Sequence, residues 1–74
     1  MAKDELSTDY AMLKRMAKEL SEHQKKIRVM GMKIAKRSKN DAGYAIVEKL
    51  GNVEIHISKA IGELRRATKD LEML

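Results

Sequence analysis

The sequence predicts an all-α fold, an antiparallel helical hairpin made of two long amphipathic helices. Two observations predict it: apolar residues recur every seven positions in both halves of the chain, and a polar cluster separates the halves. The composition agrees, because the chain has no proline, only four glycines and many residues that favour helix. We predict a single domain over residues 1–74, with helix one at about 4–37, a turn at about 38–42 and helix two at about 43–73.

Helix one is predicted from a seam of the coiled-coil type, in which contact positions alternate three and four residues apart. Its two rows are Leu6, Leu13, Leu20, Ile27 and Ile34, and Tyr10, Ala17, Gln24 and Gly31. The residues that widen the seam into a broad apolar face are Met12, Met16, Met30 and Ala35. Asp4 or Ser7 is expected to cap the helix, because a side-chain oxygen there accepts a bond from a free amide of the first turn.

The opposite side of helix one is strongly basic. Residues 1–41 hold eleven Lys and Arg against six Asp and Glu, whereas residues 42–74 hold five of each, so the net charge of +5 lies in the first part. Residues 25–39 contain seven cations and no acid, and such a block concentrates anionic partners around it. A solvated surface that aids solubility is the simpler interpretation. The candidate residues for binding nucleic acid or an acidic partner are Lys14, Lys18, Lys25, Lys26, Lys33, Lys36, Arg37 and Lys39.

The turn is predicted at Ser38-Lys39-Asn40-Asp41, the polar cluster between the two periodic segments. Asn40 or Asp41 is expected to cap helix two, and Gly43 adds conformational freedom. Helix two repeats the seven-residue period in two adjacent rows. The rows are Leu50, Ile57, Leu64 and Leu71, and Ile46, Val53, Ala60, Ala67 and Leu74, with Ile61 and Thr68 beside them.

The hairpin is predicted to pair with a second copy. A chain of 74 residues buries little surface alone, and without cysteine it has no disulfide to stabilise it. Two hairpins packed face to face would cover their apolar sides as a four-helix bundle, and pairing with a different protein is the alternative. The predicted helix-packing and oligomer interface consists of Leu6, Tyr10, Leu13, Leu20, Ile27, Ile34, Ile46, Leu50, Val53, Ile57, Leu64 and Leu71.

A β-hairpin is an alternative for residues 44–57. Gly51-Asn52 is a favourable two-residue turn, and residues 53–57 alternate as a strand does. The preceding arm does not alternate cleanly, and its Glu48 and Lys49 favour helix.

Residues 45–61 also resemble a DNA-binding helix-turn-helix. Gly51 stands where the turn glycine belongs, and Leu50 and Ile57 occupy usual apolar positions of the motif. Asn52 departs from the motif, because it falls on a position that is normally apolar and buried. A continuous helix costs about 1 kcal/mol for a glycine in its interior.

The back of helix two is a further candidate contact surface. Its small or apolar residues are Gly51, Ile55, Ser58, Gly62 and Met73. The simpler interpretation is that Ile55 and Met73 are isolated exposed apolar residues, which are common on protein surfaces.

Chemistry-bearing patterns are weak in this sequence, so we expect no catalytic site, no metal site and no cofactor. His23 and His56 are far apart in the sequence, without cysteine or a second histidine four residues away. Helical-hairpin enzymes that hold carboxylates in a bundle pocket need several arginines, and Arg28 is the single candidate here. No segment is apolar over enough residues to span a membrane, and we expect a cytoplasmic protein without a small-molecule substrate.

Binding is therefore the expected function. The first hypothesis is a small regulator whose basic helix face contacts nucleic-acid phosphates, with affinity that falls steeply with salt. The second is a helical adaptor or inhibitor of an acidic protein. The third is a helix-turn-helix repressor that uses residues 45–64, in which His56 and Lys59 would matter more than Lys25 and Lys36.

Overall fold

The structure is a hairpin of two α-helices, which confirms the predicted fold class. The computed structural model describes residues 6–74. Helix α1 spans Ser7–Arg37, helix α2 spans Asp41–Glu72, and residues 38–40 connect them. The two helices pack antiparallel over their length, in a molecule of 58 × 14 × 11 Å. Within residues 6–74, neither helix has an apolar stretch long enough to cross a membrane.

The start of α1 differs from the prediction. Leu6 occupies the cap position, and Ser7 is the first helical residue rather than the cap. The side chain at the cap position makes no capping hydrogen bond, because leucine has no acceptor to offer. The predicted start at residue 4 and the alternative cap Asp4 lie outside the described residues.

The connection is held by Asn40, which confirms its predicted role as the cap of α2. Its backbone is extended, and its Oδ1 accepts a 2.9 Å hydrogen bond from the backbone N–H of Gly43. Gly43 is buried against Ser38. A Cβ at Gly43 would overlap the carbonyl oxygen of Ser38 and lie 2.8 Å from the Ser38 Cβ. Glycine is therefore required here by the close approach of the preceding chain.

The seam between the helices uses the predicted residues of α1. Ala17 and Gly31 are buried, and the other members of the two predicted rows are half-buried. On α2 most of the buried and half-buried residues follow the same alternation of three and four. They are Gly43, Val47, Leu50, Glu54, Ile57, Ile61, Leu64, Thr68 and Leu71, and beside them Gly51, Ala60 and Gly62 are also half-buried.

The second predicted row of α2 lies beside the seam. Ile46, Val53 and Leu74 remain exposed, and their places against α1 are taken by Val47, Glu54, Ile61 and Thr68. Polar members are accommodated there because they have partners. Thr68 donates its hydroxyl to the Leu64 carbonyl at 2.7 Å, for example. Periodicity could not choose between the two rows, because both border the row that begins at Leu50.

Helix α2 runs without a break through Gly51 and Asn52. Residues 44–57 therefore form helix and not a β-hairpin, and residues 45–64 lack the turn that a helix-turn-helix requires. A glycine inside a helix costs about 1 kcal/mol, which is small beside the loss of the packing that α2 makes on either side of Gly51.

Candidate anion-binding surface

The two helices are joined by polar contacts along one side, which we call the polar edge. The contacting pairs are Tyr10 with Glu72, Gln24 with Ser58, and Arg28 with Glu54. In each pair the Tyr10 hydroxyl, the Gln24 amide or the Arg28 guanidinium is the donor. All three pairs share one antiparallel alignment, because the two residue numbers of every pair add to 82.

The middle of the polar edge is held mainly by Gln24 and Arg28. The Gln24 Nε2 donates to the Glu54 carbonyl oxygen at 3.0 Å and to the Ser58 Oγ at 2.5 Å. The Arg28 Nε lies 2.9 Å from Glu54 Oε1, and the arginine side chain is largely exposed. A solvent-exposed ion pair of this kind contributes little to stability.

The same edge contains an open concavity of about 530 Å³ near the free ends of the two helices. We call it the basic groove. Lys14 and Lys18 line it from α1, and Arg65 and Lys69 line it from α2. Its floor includes the buried residues Ala17 and Thr68, together with Ser21.

The charge in the basic groove is unbalanced. Four cations line it, and the acid among its lining residues is Glu72, which accepts a hydrogen bond from Tyr10. The Lys14 Nζ also lies 5.1 Å from the centre of the Tyr10 ring, a cation–π distance. Cations supplied by two helices around one concavity create a positive potential that attracts an anion, and because they are exposed the attraction weakens with salt.

All eight basic residues predicted as binding residues are exposed, but they do not form one cluster. Lys14 and Lys18 belong to the basic groove. Lys25, Lys26 and Lys33 surround an apolar spot on the outer side of α1. The remaining three, Lys36, Arg37 and Lys39, lie at the end of α1 and in the connection.

Arg65 and Lys69 are functional candidates that the sequence pattern did not reveal. The second half of the chain has a net charge of zero, so its charge balance does not indicate a basic surface there. The antiparallel alignment would have indicated them, since a hairpin closed at residues 38–40 sets Arg65 and Lys69 beside Lys14 and Lys18.

The apolar spot on α1 consists of Val29 and Met30 between Lys25, Lys26 and Lys33. Both apolar side chains are about half exposed. An apolar centre with a cationic rim fits a protein surface that carries acidic residues around an apolar one.

The chain matches no protein-family model, no curated protein and no solved structure. The function is therefore inferred from the residues and geometry of the hairpin itself.

Proposed function

We propose that the hairpin is a non-enzymatic cytoplasmic regulator that acts as a homodimer and binds the phosphates of nucleic acid. The observation that carries this proposal is the basic groove, where four cations from two helices surround one concavity. The exposed cations of residues 25–39 extend the positive surface along α1. Together they offer a run of positive charges that can displace the counterions of successive phosphates.

The expected mode of binding is electrostatic and poor in sequence information. Lysine contacts to phosphates position a nucleic acid but do not read its bases. The basic face of α1 has no aromatic residue between its lysines on which bases could stack. Affinity should therefore depend strongly on salt and weakly on base sequence.

Fluorescence anisotropy tests the proposal directly. A labelled duplex DNA of random sequence and a structured RNA are titrated with the protein at several salt concentrations. We expect a linear fall of the logarithm of the binding constant with the logarithm of the salt concentration, with a slope of about −0.9 per phosphate contacted on B-form DNA. Absence of binding at low salt would refute the proposal.

A matched set of variants locates the surface. The test variant carries Lys25→Gln, Lys33→Gln and Lys36→Gln, and the control carries Lys49→Gln, Lys59→Gln and Arg66→Gln. All six positions are exposed and both variants lose three charges. We expect the test variant to flatten the salt slope by roughly one per lost phosphate contact, and the control to leave it almost unchanged. Equal weakening by both would mean that net charge alone attracts the polyanion.

The basic groove has its own pair of variants. Lys69→Gln removes a cation that lines the groove, whereas Lys59→Gln removes one from the outer surface of α2. We expect Lys69→Gln to lower the affinity and reduce the slope by about one, and Lys59→Gln to do neither. The reverse order would exclude the groove from the binding surface.

An acidic protein partner is the second candidate, and the apolar spot at Val29 and Met30 favours it. A synthetic acidic amphipathic helix with leucines on one face is a suitable probe, with a scrambled peptide of the same composition as its control. A protein-type interface predicts preference for the patterned peptide, weak salt dependence and loss of that preference with Val29→Ser. Equal binding of the two peptides would exclude this candidate.

A further inference from the structure

The side of the hairpin opposite the polar edge carries exposed apolar side chains from both helices. They are Met12, Met16 and Met30 of α1, and Ile46, Val53, Ala67 and Leu74 of α2. Leu13 of α1 lines one concavity with Ala67 and Leu74 of α2, so the two sets share one side of the molecule. We call this side the apolar face.

The single hairpin encloses very little. Among residues 6–74, the apolar side chains that reach burial are those of Ala17 and Ile61, at 8% and 7% exposure. The chain exposes 6097 Å², whereas a compact protein of its mass of 8.4 kDa is expected to expose about 4,600 Å². The excess is roughly 1,500 Å² per chain, or about 3,000 Å² for two, which falls within the range of roughly 2,000–5,000 Å² that obligate homodimers bury.

We propose that a second copy of this chain covers the apolar face, with the α1 helices of the two copies antiparallel about a two-fold axis beside His23. This assignment rests on the proposed homodimer and is independent of phosphate binding. It leaves the polar edge of each copy, and so each basic groove, facing solvent on the outside of the four-helix bundle.

The charges on α1 favour this arrangement. The row of α1 that borders the apolar face consists of Asp9, Met16, His23, Met30 and Arg37, spaced seven residues apart. A two-fold axis at His23 brings Asp9 of one copy to Arg37 of the second copy, and Met16 to Met30. Opposite charges then meet at the two ends of the row, Met16 meets Met30 between them, and the two His23 side chains meet at the axis.

The same axis also serves α2. The antiparallel alignment given by the polar edge sets Lys59 across from His23, so Ala60, the half-buried middle residue of this α2 row, lies within one residue of the axis. Rotation about the axis brings Ile46 of one copy to Leu74 of the second copy, and Val53 to Ala67. Each contact on this side therefore joins two apolar residues.

The competing arrangement, with α1 of one copy against α2 of the other, suits the charges less well. The same alignment would then set Asp9 within one residue of Leu74 and Arg37 within one residue of Ile46. Both charges would lose water without gaining a partner, which is unfavourable.

Mass measurement on a matched pair of variants tests the apolar face. Val53→Lys and Ile55→Lys change exposed β-branched residues two positions apart on α2, at 40% and 57% exposure. Val53 belongs to the apolar face, whereas Ile55 points away from it and belongs to the alternative surface on the back of the helix. By sedimentation equilibrium we expect wild type and Ile55→Lys to have twice the chain mass, and Val53→Lys to dissociate with a constant raised roughly a hundredfold. Dissociation by Ile55→Lys instead would overturn the proposal.

Cysteine cross-linking tests the axis without disturbing the fold, because the chain has no cysteine of its own. In the proposed dimer, His23→Cys and Ala60→Cys each place a thiol beside the equivalent thiol of the second copy, near the axis. Ile55→Cys is the exposed control. Under mild oxidation we expect covalent dimers from the first two variants and not from the control. Linkage only when His23→Cys is mixed with Ala60→Cys would overturn the axis in favour of the competing arrangement.

A wild-type protein that stays at the chain mass would refute the homodimer. Salt-dependent binding of duplex DNA by that monomer would leave the phosphate proposal standing.

Discussion

Gly51→Ala is expected to stabilise the hairpin, although Gly51 resembles a turn residue in the sequence. It lies in the interior of α2 on the side away from the apolar face, and no described atom beyond its local helix lies within 4 Å of an added Cβ. Alanine exceeds glycine in helix propensity by about 1 kcal/mol, partly because it restricts the unfolded chain. In a domain of this size, a gain of about 1 kcal/mol raises Tm by roughly 4–8 °C.

The assay is thermal unfolding followed by far-ultraviolet circular dichroism. Wild type and variant are compared at the same protein concentration, because the Tm of a self-associating protein depends on concentration. Gly43→Ala is the matched control, since it makes the same chemical change where the added methyl group would overlap Ser38. Overpacking of this kind costs about 1–3 kcal/mol, so Gly43→Ala should lower Tm.

Opposite signs for the two glycines are the essential result. A fall in Tm with Gly51→Ala would mean that Gly51 needs the backbone freedom of a turn, and the continuous α2 would be wrong. A rise with Gly43→Ala would show that Ser38 does not pack against the start of α2.

The remaining predictions concern the contacts that hold the hairpin closed, each measured by urea unfolding. Asn40→Ala should cost about 1 kcal/mol because the Gly43 amide loses its acceptor, whereas Asn40→Gly should cost only a few tenths; equal losses would exclude a capping role. Gln24→Ala should cost about 1 kcal/mol, since Gln24 bonds α2 at two atoms within the half-buried seam, and an unchanged midpoint would show that these bonds add nothing. Arg28→Ala should cost less than about 0.5 kcal/mol because its side chain is 64% exposed, and a loss above about 1 kcal/mol would mean that the ion pair with Glu54 is shielded from water.

The seam of α1 was predictable because its hydrophobic period is strict. Leu6, Leu13, Leu20, Ile27 and Ile34 admit one arrangement on a helix, and all are half-buried as expected. Gln24 and Gly31 were placed correctly by the same spacing although neither is strongly apolar. Spacing outweighs hydrophobicity here because a residue between two seam positions cannot turn away from the partner helix.

The seam of α2 was only half predictable. The leucine row beginning at Leu50 has apolar neighbours on one side, in Ile46 and Val53, and mixed neighbours on the other, in Glu54 and Thr68. Local hydrophobicity favours the first side, but Gln24 and Arg28 of α1 donate hydrogen bonds to Glu54 on the second side, and Thr68 donates to the Leu64 carbonyl of its own helix. Gln24 and Arg28 are far from Glu54 in the sequence, so a pattern within α2 could not reveal them.

The basic groove escaped prediction for a related reason. Lys14 and Lys18 were found as part of a charged helix face, which is visible within one segment. Their association with Arg65 and Lys69 requires the alignment of the two helices to within a turn. The approximate position of the connection was predicted, but its close packing of Ser38 on Gly43, which sets that alignment, was not.

The short connection sets the order in which the two helices associate and separate along their length. Next to residues 38–40 the contacting residues are neighbours in the chain, whereas at the other end Tyr10 meets Glu72, 62 positions away. The two helices can associate progressively from the connection outward, because each further helical turn adds contacts without requiring a long loop to close. Opening runs the other way, so amide hydrogens at the free ends should exchange with solvent faster than those beside Gly43. The basic groove lies at the free ends, where amide exchange is expected to be faster. A polyanion bound to cations of both helices there would hold the two ends together and slow their amide exchange first.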